Sequence, residues 1–257
     1  MNAVKKALLQ GHISIGTWIQ FGHPGIAEVL ANAGFDWIAA DMEHSDIGIQ
    51  EFTGLCRSIY GRGPVPLARV RENDVLAIRQ TLDMGALGVI VPLVNTSDDA
   101  RRAVAAAKYP PAGIRGFAFH RNNDYGAGFD DYVREANDDV LVIVMVETKE
   151  AVENIDSILG VEGVDGIFIG PYDMSGSYGM PGKTDDPLIK AAFQKCVGAC
   201  RKAGKAAGLH VVGVSEPAIH EAIESGFTFL GLGMDNVFLD TAARKTVGIA
   251  RGLAAGG

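Results

Sequence analysis

The chain has 257 residues, 47% of them hydrophobic and 21% charged, a mix that fits an ordinary globular protein and excludes a disordered one. A formal charge of −8 argues against nucleic acid or an anionic membrane as partner, since both need basic patches to displace counterions. The opening stretch MNAVKKALLQGHISIG has no apolar run of signal-peptide length, and no later segment approaches the ~18 apolar residues of a membrane span. Three cysteines, Cys56, Cys196 and Cys200, cannot all pair, so a reducing cytoplasm is the expected setting.

In chain order, short apolar runs alternate with amphipathic ones. Strands are predicted at 13–20, 35–42, 65–70, 88–94, 141–148, 166–173, 206–212 and 228–234. Between them, PGIAEVLANAGF starts a helix at Pro24 and stops it at Gly34, and NDVLAIRQTLDMG runs from an Asn73 or Asp74 cap to Gly85. The same punctuation closes EAVENIDSILG at Gly160, DPLIKAAFQKCVGACRKAG at Gly204 and EPAIHEAIESG at Gly226. Eight parallel strands with intervening helices predict a (β/α)8 TIM barrel, and the length suits one domain over 1–257. The rival is an open doubly wound sheet, but GTWIQFGHPG after the first strand is no GxGxxG fingerprint. One stretch breaks the rhythm: residues 108–132, rich in Pro, Gly, Asn and aromatics, read as a lid or binding segment.

In such a barrel the site forms at the C-terminal ends of the strands. The run FDWIAA ends in Asp41, Glu43, His44 and Asp46. Four ionisable groups there are costly unless they reach water, a metal or one another. Other strand ends carry Arg69, Glu147, Asp173 in GPYD, and His210, while the first strand carries Trp18. Singly each reads as a capping or solvated residue; together they would meet in one mouth.

Glu147 and Asp173 supply two hard oxygen ligands, suited to an octahedral Mg or Mn ion with open positions for a 2-oxo acid. The turn GPYD, with Gly170, Pro171 and Tyr172 before Asp173, offers backbone N–H groups next to that aspartate as a cradle for the substrate carboxylate. Deprotonation next to the ketone would make an enolate, with Arg69 and the metal positioned to receive its charge. Histidine titrates near neutrality, which suits His44 to carry the proton, with Asp41 or Asp83 orienting its ring. In the long segment, His120, with Arg121 and Asn123, could recognise a polyhydroxy or dicarboxylate tail, or simply meet another subunit.

These residues resemble a known family. EHSDIG, YPPAGIRG, VETKEAVENIDSI, GVDGIFIGPYDMS and GFTFLGLGMD are similar, over nearly the whole chain, to the HpcH/HpaI class II pyruvate aldolases. The resemblance implies a (β/α)8 barrel, commonly with its last helix exchanged between subunits of a hexamer built from dimers. It implies reversible cleavage of 4-hydroxy-2-oxo acids to pyruvate and an aldehyde, with Mg, Mn or Co. It also implies the base at His44, the carbonyl-binding arginine at Arg69, metal ligands at Glu147 and Asp173, and partner acids at Asp41 and Asp83.

Three positions depart from the family pattern. Met145 stands where many members have glutamine, His210 where an aliphatic residue often faces the aldehyde, and Tyr172 where a small residue is usual. The segment FHRNNDYG looks more like the dehydrodeoxyglucarate aldolase branch than the heptanedioate branch. The competing readings are a Schiff-base aldolase using Lys149, a condensing or decarboxylating enzyme on the same scaffold, and a non-catalytic barrel.

Overall fold

In the computed structural model, which describes residues 2–255, eight strands close into a barrel. They are Ser14–Ile19 (β1), Trp37–Asp41 (β2), Val65–Arg69 (β3), Gly88–Val91 (β4), Leu141–Val146 (β5), Gly166–Ile169 (β6), Ala206–Val211 (β7) and Phe229–Met234 (β8). Each pairs in parallel with its neighbour in sequence, and β1 pairs with β8, so no edge is left exposed. The open-sheet alternative is thereby excluded.

Two apolar layers hold this arrangement. Inside the barrel, Trp37, Leu67, Ile143, Phe168 and Phe229 pack together, with the Trp37 and Phe229 rings stacked at 4.4 Å. Outside, the alternate strand residues, among them Ile38, Val89, Val144 and Ile167, meet the apolar faces of the helices. Truncating a buried ring such as Trp37 to alanine costs about 3–5 kcal/mol in cores of this kind.

Helix Ala3–Leu9, which the strand-and-helix reading did not assign, turns Val4 and Leu8 into the inner cluster. Asn2 and Lys5 fasten it by donating to the carbonyls of Leu87, Asp139 and Val140. Asp74, rather than Asn73, caps its helix by accepting from the Leu76 and Ala77 amides. Gly34, Gly85, Gly204 and Gly226 end helices at positive φ, whereas Gly160 stops one at φ −70 without a left-handed turn.

One predicted strand is cut short. β6 ends at Ile169, and Pro171–Ser177 is a helix with Pro171 in its first turn and Gly170 as cap, so Asp173 stands on a helix and not on a strand. The segment after helix Ser97–Ala107 is irregular to residue 120, forms a 3-10 turn at Arg121–Gly126 and enters helix Phe129–Asp139. The last helix, Asp235–Ala255, leaves the barrel after its first turn, and every residue from 238 to 253 is exposed. No helix among the described residues is long and apolar enough to cross a membrane. All three cysteines are free and buried, with their thiols pushed up to about 12 chiefly by burial.

Candidate active site

A cavity of about 340 Å³ opens at the C-terminal end of the barrel. Asp41, His44, Arg69, Asp173 and His210 all line it, as do Trp18, Met145, Gly170, Pro171 and Tyr172. Eleven of the thirteen residues expected from sequence are accounted for here once Glu147, directly beneath Gly170, is added to these ten. Asp83 and His120 are the two that lie elsewhere.

The register of the sheet builds the centre. Asp41 on β2 lies opposite Arg69 on β3, so a buried acid and a strand-end guanidinium meet without a long reach. Arg69 donates from Nε to Asp41 Oδ1 at 2.9 Å and from Nη2 to Oδ2 at 2.6 Å, a two-point grip that fixes the guanidinium plane. Its carbon lies 5.1 Å over the Trp18 ring, which supports the charge from the barrel interior. Burial pushes the Asp41 carboxyl up, but the Arg69 bonds and charge, with a bond from the Gln20 amide, outweigh it and hold the carboxyl below its usual range.

Glu147 is buried at the end of β5. Its Oε1 accepts from the Leu93 amide at 2.7 Å, and Leu93 holds φ at 53 to aim that amide. A leucine in the left-handed region is strained, and here the strain serves an acid in the site. A Cβ added at Gly170 would come within 2.9 Å of Glu147 Oε2, so that position must be glycine for the carboxylate to sit as it does. Burial raises the Glu147 carboxyl; the Leu93 amide opposes this, and Glu43 and Asp173 add to it.

Glu43 completes an acidic trio. Its Oε2 is sealed from solvent without a hydrogen bond, 3.3 Å from Arg69 Nη1 and 3.7 Å from His44 Nε2. Burial raises this carboxyl too, offset by Arg69 and reinforced by Asp41 and Asp173. Three carboxylates that repel one another, one with an orphaned oxygen, against one arginine already held by Asp41, fit a divalent cation. No group of three or more His, Cys, Asp or Glu side chains converges with metal-ligand geometry among the described residues.

Three expectations, for Asp41, Asp83 and His120, need correction, and the Lys149 alternative loses support. Asp41 does not orient the His44 ring: its oxygens serve Arg69, Gln20 and the backbone N–H groups of Glu43 and His44, and the His44 side chain is 58% exposed. Asp83 is buried on helix Val75–Asp83, where Arg115 holds it at 2.8 Å, and His120 lies 3.8 Å from it, outside the cavity. Lys149 starts a helix, its amine 59% exposed and 3.9 Å from Glu153, so it offers no Schiff-base amine to the cavity. Gln20, Glu43 and Leu93 were not among the expected site residues. Glu43 stood in the acidic run, but nothing in sequence marks a leucine whose backbone serves an acid.

A parallel barrel whose open end joins a fixed guanidinium, an exposed imidazole and clustered carboxylates is of the class of (β/α)8 enzymes that work on small oxygen-rich molecules. Residues 14–241 match the family model described as HpcH/HpaI aldolase/citrate lyase. A 4-hydroxy-2-oxo-heptane-1,7-dioate aldolase of Salmonella paratyphi C is 39% identical over 244 residues, covering 94% of this chain and 92% of that protein. An HpcH/HpaI aldolase/citrate lyase family protein from Burkholderia cenocepacia superposes with TM-score 0.92 at 30% identity, covering 98% and 100% of the two chains. The citrate synthase SbnG gives TM-score 0.88 at 27% identity, covering 99% and 100%. The chain belongs to the HpcH/HpaI aldolase/citrate lyase family. With the aldolase relatives, it is an aldehyde-lyase.

Proposed function

We propose that the enzyme cleaves 4-hydroxy-2-oxo acids to pyruvate and an aldehyde, with a divalent Mg, Mn or Co ion held by Glu147 and Asp173. The observation that carries this reading is the convergence of His44, Arg69 and Asp173 on one cavity, with Glu147 beneath it. The bound cation would polarise the ketone and offset negative charge on its oxygen. Arg69, locked by Asp41 through Nε and Nη2, would reach the same oxygen through Nη1, which it shares with Glu43 at 3.3 Å. The Tyr172 and Asp173 amides, in the first turn of the helix Pro171–Ser177, would seat the substrate carboxylate beside Gly170 and Pro171.

His44, exposed at the mouth, takes the proton from the C4 hydroxyl. The O–H electrons form the aldehyde carbonyl, the C3–C4 bond breaks, and its pair moves through C2 onto the ketone oxygen. Proton return to C3 then gives pyruvate. Glu43, beside both Arg69 and His44, adjusts the charge felt by each.

The relatives named as heptanedioate aldolases support the substrate class, and the resemblance supports an oligomer. The exposed Leu239, Val247, Ile249 and Leu253 along the last helix fit a helix exchanged between subunits, as in the hexamers expected of the family.

A pyruvate-release assay over 4-hydroxy-2-oxo acids, with chelator and with added Mn, tests both parts. Release that stops with chelator and returns with Mn is expected. Full activity after metal removal overturns the cation, and no release from any such acid overturns the aldolase. The likeness to SbnG favours a second reading, condensation on the same enolate, which oxaloacetate turnover without an aldehyde would support.

A further inference from the structure

The mouth cavity has two unlike sides. His44, Arg69 and Asp173 come from or follow β2, β3 and β6, whereas Trp18, Gln20, His210, Val212 and Met234 belong to or follow β1, β7 and β8. If the oxo-acid half of the substrate occupies the charged side, as the proposed function requires, the departing aldehyde lies against the second.

Few polar atoms are free on that second side. Gln20 donates its amide nitrogen to Asp41 at 2.8 Å and accepts at its oxygen from Asn236 at 2.7 Å. Trp18 Nε1 is sealed away without a partner, and Val212 and Met234 have no hydrogen to donate from a polar atom. His210 remains. Its Nε2 lies 3.0 Å from the Gly233 carbonyl, and a carbonyl only accepts, so Nε2 carries the hydrogen. In a neutral imidazole the other nitrogen, Nδ1, is then a bare acceptor. Nδ1 makes no hydrogen bond among the described residues and is not one of their sealed polar atoms. Burial, with the Arg69 charge, lowers the ring to about 4, which keeps it neutral at physiological pH.

We propose that His210 reads the aldehyde half of the substrate by accepting, at Nδ1, a hydrogen bond from a hydroxyl of that half. The aldehydes favoured are then hydroxyaldehydes. A carboxylate-ended aldehyde meets a lone pair at His210, and the nearby Arg69 guanidinium is already paired with Asp41 and Glu43. The inference rests on the aldolase reading and deepens it.

The test uses the whole enzyme with added Mn. Deuterium exchange into the pyruvate methyl group, followed by NMR, first checks the aldolase reading without any aldehyde; no exchange sinks that reading and this inference with it. With saturating pyruvate, kcat/KM is then compared for glycolaldehyde and acetaldehyde, and for glyceraldehyde and succinic semialdehyde, in the natural enzyme and in His210→Leu. Because the aldehydes differ in intrinsic reactivity, the informative quantity is the change in each ratio on substitution. The preference for the hydroxylated member is expected to fall about fivefold to tenfold, the worth of one neutral hydrogen bond. Exchange that persists with both ratios unchanged overturns the role of His210 alone. Should His210→Leu not fold, His210→Phe removes the same nitrogen from a planar ring. Independently of turnover, the histidine ¹⁵N spectrum of the natural enzyme is expected to show a ring protonated at Nε2 and bare at Nδ1; an imidazolium or an Nδ1–H ring overturns the proposal.

Discussion

Two arginine–aspartate pairs in this molecule are built alike and used differently. Arg69 and Asp41 meet at the mouth of the barrel, at 2.6 Å, with Arg69 Nη1 paired to Glu43 at 3.3 Å on the cavity side. Arg115 and Asp83 meet at 2.8 Å under the long segment after helix Ser97–Ala107, where Arg115 is 1% exposed. Arg115 also donates to the Tyr132 hydroxyl at 3.2 Å and lies 4.7 Å over the Tyr109 ring. Its Nε and Nη1 are sealed without partners. The first pair faces something that comes and goes; the second fastens a loop to the helix Val75–Asp83. An ion pair does chemistry only where one edge of the cation still reaches solvent or substrate.

Removing each arginine separates the two roles, and the largest effect is expected at Arg115. Arg115→Met leaves the buried Asp83 carboxylate without its main partner, a loss of about 3–5 kcal/mol. Thermal melting should drop by roughly 2–4 °C for each of those kcal/mol in a chain of this size. Arg69→Met leaves the buried Asp41 with its bonds from the Gln20 amide and the Glu43 and His44 backbone N–H groups, and should cost less, about 1–3 kcal/mol. Equal melting losses in the two variants would erase the distinction drawn between the pairs.

The next effect is kinetic. Arg69→Lys keeps the charge but loses the two-point grip on Asp41 and the fixed Nη1, so kcat should fall about 10²–10³-fold with little change in melting. A fall below tenfold would show that charge alone, without a fixed direction, is sufficient at the mouth.

The contrast between the pairs also marks where sequence was informative. The eight strands were legible because apolar runs end at turn residues; predicted and observed bounds differ mainly by trimmed ends, as at 35–42 against Trp37–Asp41. The strand-end rule found Arg69, Glu147 and His44, since side chains there converge whatever the loops do. The rule cannot rank two acids against each other. Asp41 and Asp83 read alike in sequence, and only the placement of Arg115, 32 residues beyond Asp83 in the chain, shows that the second is engaged elsewhere. Leu93 was opaque for another reason: its contribution is a backbone angle, which leaves no signal in residue type, while Gly170 was expected for its backbone and not for the room its missing Cβ leaves Glu147.

Gly170→Ala extends the comparison to the cation side of the mouth. The new Cβ would sit 2.9 Å from both Glu147 Cβ and Oε2, so the carboxylate must shift. The overpacking is expected to cost about 1–3 kcal/mol. Weaker Mn binding by calorimetry, in step with lower activity, is the expected outcome. Unchanged Mn affinity would mean that Glu147 does not hold the cation.

The smallest effect is a pH dependence, and it tests whether the charge of Arg69 reaches across the cavity. Burial first, then Arg69, lowers the His210 ring from 6.5 to about 4. As pH falls below 6.5, the unfolded chain takes up a proton that the folded chain refuses until about pH 4, so stability present at neutral pH is lost across that window. Allowing for partial exposure to the cavity, the loss is about 1–2 kcal/mol. Urea melts at pH 7 and pH 4.5 should therefore show a larger drop in the natural enzyme than in His210→Leu. Arg69→Met removes a neighbouring positive charge, lets the ring protonate more readily and should shrink the drop, whereas Arg115→Met, whose charge does not act on this ring, should leave it in place. If both arginine variants shrink it alike, the loop pair is coupled to the mouth after all, and the two pairs belong to one electrostatic unit.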